Sequence, residues 1–213
     1  MSEEKPGNSF TLFWRYVAGA VIVWTAIIAG SLISNINLLD NQSNELVRKE
    51  AIANFNKDQG FRLWGTKHGG VYVPVTGATP PSPYLSHIPE RDIETPSGRQ
   101  LTLLNPAYMV RQLMEDNASF YGVMGKITGL VVLRPGNAPD QWERSALKKL
   151  KAGIHEVSEI STIGGRSYFR MMRPMYMKPG CEKCHGHLGF KLGDFRGGVG
   201  VSVPIAPYLK AQN

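Results

Sequence analysis

A chain of 213 residues with a 42% hydrophobic share holds enough apolar material for one packed domain and an appendage. Charged residues are only 19%, too few for a disordered tail or a coiled coil. The net charge of +7 is spread without a Lys/Arg run, so no nucleic-acid partner is expected.

The segment from Tyr16 to Leu39 carries no charge, and its first 19 residues are apolar enough to cross a hydrocarbon core of roughly 30 Å. Trp14, Arg15 and Tyr16 flank it as interfacial anchors do. Lys5 and Arg15 lean towards a cytoplasmic N-terminus, weakened by Glu3 and Glu4. Ala29-Gly30-Ser31 would serve as the cleavage region of a signal peptide; the length of the apolar stretch favours an uncleaved anchor over residues 1–39. The anchor makes a lipid bilayer one partner. Residues 40–213 then form a single outer domain.

Asp40 to Asn56 reads as a helix continuing the anchor outward, ended by the Gly69-Gly70 pair. This stalk could pair in a homodimer, though it is short. VYVPV is an edge strand by its Pro74. Residues 76–98 read as one long ordered loop, with Tyr84, Leu85 and Ile88 able to pack down. LTLL (101–104) is a strand. Asn105-Pro106 opens a helix to about Asn117, as N-cap and first residue. KITGLVVL (126–133) is expected as a strand. Asp140 caps a helix through Lys151 that Gly153 ends. Two strands meet at Gly164-Gly165, a hairpin signature, and residues 197–205 form the last strand. The class is α+β: a PAS-like antiparallel sheet with helices packed on one face, behind one N-terminal transmembrane helix.

The chemistry is concentrated in Cys181-Glu182-Lys183-Cys184-His185. On one helical turn residues i and i+3 share a side, so two thiols can bond one edge of a porphyrin while the next histidine coordinates its iron. One covalent haem c is therefore expected, held by Cys181 and Cys184 with His185 as proximal ligand. A structural zinc site would need His185 and His187 as further ligands, crowded within seven residues. A redox pair would open a helix in a βαβ setting, which is missing.

The iron's other face is open to choice. Met109, in the first turns of the Asn105 helix, is the first candidate. His68, beside Gly69-Gly70, is the second, and an empty position is the third. His87, His155 and His187 are discounted. Arg111, Arg134, Arg173 and Arg196 are candidates for the anionic haem propionates, with Arg196 first because its loop follows the motif closely. No nucleophile–base constellation is visible, so an enzyme is not expected.

The strings from Thr66 to Gln112, ITGLVVLRPGNAPDQWE and MMRPMYMKPGCEKCHGHLGFKLGDFRGGVGVSVPI resemble a family of periplasmic c-type haem domains that often precede histidine kinases and diguanylate cyclases. The resemblance covers about residues 45–207. It implies a PAS-like fold, one haem on Cys181, Cys184 and His185, a place at the bacterial inner membrane with the domain in the periplasm, and redox or diatomic-gas sensing. At least one relative uses a distal cysteine near the helix at Asn105; this chain has none there, and Met109 lies close to that place. Family sensors continue into an output domain. A chain ending at Asn213 would pass its signal to a partner protein, and a membrane-tethered electron-transfer cytochrome is the alternative.

Overall fold

The computed structural model describes residues 7–210, so Lys5 and the chain ends lie outside the described residues. The chain divides into two compact units between Leu46 and Val47. The first is the early part of helix α1, which spans Gly7–Lys67. Its apolar stretch is long and apolar enough to cross a membrane. The helix runs past the Asn56 expected from the sequence. It stops where Gly69 and Gly70 take positive φ angles of 76° and 109°, and where a side chain at Gly70 would meet the Leu104 carbonyl oxygen at 2.7 Å.

The second unit is built on two antiparallel sheets. The smaller has the order β1-β3-β2, from Val71–Pro74, Gln100–Leu104 and Asp92–Glu94, with proline-bearing β1 on its edge. Strand β2 falls within the stretch expected to be loop. The rest of that stretch is anchored as expected, by Leu85 and Ile88 buried against Leu103. The larger sheet has the order β4-β7-β6-β5, from Met124–Thr128, Phe195–Pro204, Arg166–Tyr176 and Val157–Ile163. Gly164 and Gly165, at φ 56° and 79°, turn β5 into β6.

Strand β4 ends at Thr128 and not at Leu133. Beyond its pair with Gly198, the Arg196–Gly197 backbone crowds Gly129 so closely that the ladder cannot continue; a side chain at Gly129 would lie 2.9 Å from the Arg196 carbonyl oxygen.

Helix α2, Pro106–Tyr121, starts as the sequence dictates: the Tyr108 N–H donates to Asn105 Oδ1 at 2.8 Å, and Gly122 closes it at φ 74°. Helix α3, Gln141–Lys151, carries a full capping box between Asp140 and Glu143. The short α4 (Glu182–His185) and α5 (Ala206–Lys210) complete the set.

The helices do not share one face of the large sheet. Strand side chains alternate. Phe169, Met171, Val201 and Val203 pack against Val47 and Ala51 of α1, and Met175 and Val199 against Val110 and Met114 of α2. The opposite face offers Met172 to Leu147 and Leu150 of α3. It has room there because Gly198 carries no side chain; a Cβ would stand 2.8 Å from the Met172 sulfur.

Candidate functional site

Strand β6 loses register against β7 at Tyr176, and the chain makes an excursion before β7 resumes at Phe195. The base of this excursion is closed twice. The Met177 N–H donates to the Asp194 carbonyl at 2.9 Å, and the Met177 carbonyl accepts from the Gly193 N–H at 3.0 Å. At its tip the His185 N–H donates to the Cys181 carbonyl at 3.0 Å, completing one helical turn across the cysteine motif. The Lys178 N–H reaches Cys181 Sγ at 3.4 Å. The Cys184 side chain lies outside the described residues.

His185 is turned inward. Burial pushes its imidazole down to about 4, aided by the charges of Arg196 and Arg62, so it is neutral at ordinary pH. Its Nδ1 is buried without a hydrogen-bond partner. A neutral imidazole with an uncommitted nitrogen is the form that ligates a metal.

His185 lines a cavity of about 440 Å³ whose walls come from across the domain. One wall is helix α2, with Tyr108, Arg111 and Gln112. A second is the proline-rich loop, pinned there because Tyr108 Oη donates to the Pro80 carbonyl at 3.1 Å and Gln112 Nε2 to Thr79 Oγ1 at 3.0 Å. A third is Ile127 with Val131, Val132 and Leu133, an apolar run that lies along the cavity where the strand has ended. A smaller recess shares Arg62, Asn105, Ala107 and His185 with the cavity and adds Gly180 and Cys181.

The cavity is strongly cationic. Arg62, Arg111, Arg134 and Arg196 line it, against Glu115 as the one carboxylate among the described lining residues. Arg111 lies over the Tyr108 ring at 4.4 Å and 3.7 Å from Glu115. Arg134 donates to Asn137 Oδ1 at 3.1 Å. Arg196 donates to the Val131 carbonyl at 3.2 Å and stacks 4.9 Å from the Phe190 ring centre. Arg173 is elsewhere, bonded to Glu156 at 2.7 Å and 2.8 Å. A flat, mostly apolar macrocycle with an acidic edge meets apolar walls, paired cations and a free imidazole nitrogen here. The residues fit such a group.

Two of the expected ligands stand outside these walls. Met109 packs against the Val110–Met114 cluster, its methyl lying where a side chain at Gly65 would be 3.1 Å away. His68 is exposed, stacked on Trp64 at 4.4 Å with Nδ1 bonded to the Trp64 carbonyl at 2.8 Å. Met175 does line the cavity, but it belongs to the core cluster of Val110 and Val199. Sequence reasoning missed Arg62. Its signal was the inward face of α1, on which Val47, Ala51, Asp58, Arg62 and Gly65 recur at helical spacing.

The sequence model of the Tll0287-like family (Tll0287) matches residues 40–204. The chain belongs to the Tll0287-like family. The match takes in all seven strands and the cysteine motif, and bears out the family resemblance expected from the sequence. Among solved structures, the crystal structure of the cyanobacterial heme-protein Tll0287 is similar in fold. The TM-score is 0.50 over 76% of this chain and 95% of that chain, at 15% identity. No curated protein matches the chain.

Proposed function

We propose that this chain is a membrane-anchored haem c protein that senses a redox change or a diatomic gas and passes the signal to a partner protein. Cys181 and Cys184 would hold the macrocycle by thioether bonds, and His185 would be the iron's proximal ligand. The outer domain would lie in the periplasm of a bacterial inner membrane, since haem c is attached outside the cytoplasm. The observation that carries the reading is His185: neutral, with a buried unpartnered nitrogen, on the wall of a cavity that also receives four arginines. The similar fold belongs to a heme-protein, which supports the same cofactor.

Bound haem supplies an iron that changes oxidation state and accepts small ligands. The protein's own part is to orient and shield it. The proline-rich loop and Val131–Leu133 supply apolar wall to the cavity, and the arginines favour negative charge there. Sensing is preferred over electron transfer on one observation. Among the described lining residues His185 is the lone histidine, and Met175 is held by core packing, so a bound haem would meet small outside ligands more readily than a second protein side chain.

The test is expression with export and haem-attachment machinery. A covalent haem stain and an alkaline pyridine spectrum with a c-type band are expected, both lost when Cys181→Ala and Cys184→Ala are combined. Rapid carbon monoxide binding by the reduced protein supports sensing. A stable six-coordinate spectrum that ignores carbon monoxide and trades electrons quickly with a respiratory donor refutes it.

A further inference from the structure

We infer that Arg62 and Arg196 together form a seat for a carboxylate in the cavity. Both line it beside His185. Arg111 has Glu115 as a counter-charge, and Arg134 is held by Asn137. Arg62 and Arg196 meet no carboxylate among the described residues. Arg62 donates to Gln59 Oε1 at a long 3.5 Å, and Arg196 to a backbone carbonyl at 3.2 Å. Arg196 Nε is buried with no hydrogen-bond partner among the described residues.

Such an arrangement is costly on its own. Burial lowers the pKa of both guanidiniums, and the charge of Arg62 lowers that of Arg196 further. Two like charges taken from water towards one cavity repel each other and lack hydration. An anion between them removes both costs. Arginine is suited to a planar partner, because its fork of N–H donors matches two carboxylate oxygens at once. The seat is therefore for a carboxylate, supplied either by a haem propionate, which rests on the function proposed above, or by a free small carboxylate.

The experiment uses the full chain produced with its haem, as wild type, Arg62→Gln, Arg62→Lys and Arg196→Gln. Midpoint potentials are measured from about pH 4 to about pH 9. Formate is titrated onto the ferric protein and followed by its Soret band. The other titratable groups on the cavity, Glu115, Tyr84, Tyr108 and His185, are untouched by these substitutions. If the seat holds a propionate, the pH inflection of the potential rises by about one unit or more in both Gln variants, the size of a lost arginine–carboxylate pairing. Arg62→Lys restores part of the shift. If it holds a free carboxylate, the inflection stays and formate affinity falls about tenfold in both. Either result supports the seat. Gln variants that keep covalent haem and show the wild-type inflection and formate affinity overturn it. Absence of covalent haem from the wild type overturns the haem reading instead. Calorimetry of formate on that apo chain then decides the seat: binding weakened in Arg62→Gln supports it, and no binding refutes it.

Discussion

Replacing Gly197 with alanine should damage the site through the backbone alone. Gly197 sits at φ +156°, and a Cβ there would fall 2.2 Å from the Thr128 carbonyl oxygen and 3.1 Å from Gly129 Cα. Both are backbone atoms of the adjoining strand end, so neither can rotate away. Overpacking costs about 1–3 kcal/mol and a disfavoured φ about 1–2 kcal/mol, so about 3 kcal/mol is expected. For a chain of this size about 2–4 °C is lost per kcal/mol, which gives a midpoint about 6–12 °C lower. Because Gly197 follows Arg196 and Thr128 itself lines the cavity, the strand shift also moves Arg196. The matched control is Gly193→Ala. Gly193 lies at φ +87° with nothing within 4 Å of an added Cβ, so only conformational strain of about 1 kcal/mol applies. Circular-dichroism melting of both variants decides it. Equal shifts in the two, or a Gly197→Ala midpoint within about 2 °C of wild type, would refute the close-approach argument.

Three further outcomes follow from the same structure. If haem is held as proposed above, His185→Ala loses the spectral signature of a nitrogen-ligated iron, and a spectrum unchanged from wild type would remove His185 from the iron. Arg170→Met should cost about 3 kcal/mol in denaturant unfolding. Arg170 is 6% exposed and pairs with Asp140 at 2.7 Å and Glu143 at 3.5 Å, and its loss leaves the buried Glu143 with Lys126 as its charged partner beside the capping bond from the Asp140 N–H. Pairing Arg170→Met with Glu143→Gln should cost less than the two losses added. Acid should destabilise the domain through Glu156. Burial raises its pKa, but hydrogen bonds from Arg173 and Arg48 more than offset that, so the folded value lies below the usual 4.5. Its stabilisation is complete above about pH 4.5 and fades as pH falls through the folded value. Melting points followed from about pH 6 to about pH 2 should therefore fall less steeply in Glu156→Gln, and parallel curves would refute the linkage.

Local signals carried most of the fold. Asn105-Pro106, Asp140 with Glu143, and Gly164-Gly165 act within a turn of chain, and each does in three dimensions what its chemistry predicts. The errors came where distant contacts decide. Val131–Leu133 has a strand's composition, but it lies along the cavity and not beside a neighbouring strand. The expectation of one helix-bearing face fails for α3, since either side of the sheet presents apolar residues, and what admits it to the other side is the bare backbone of Gly198. The cysteine motif was legible in the sequence because its spacing is local, and the structure sets it on one helical turn. The opposite wall was not, since Arg62 comes from a helix more than a hundred residues earlier, and sequence gives no distance between the two.

The double closure at Met177 has a consequence for how such a protein can change. An excursion whose two ends are pinned together can be lengthened, trimmed or rewritten at a small entropic charge, while the strands on either side keep their register. Heritable variation in the segment from Lys178 to Gly193 is thereby uncoupled from the survival of the sheet. The same pinning lets the cysteine turn open locally without unravelling the strands on either side.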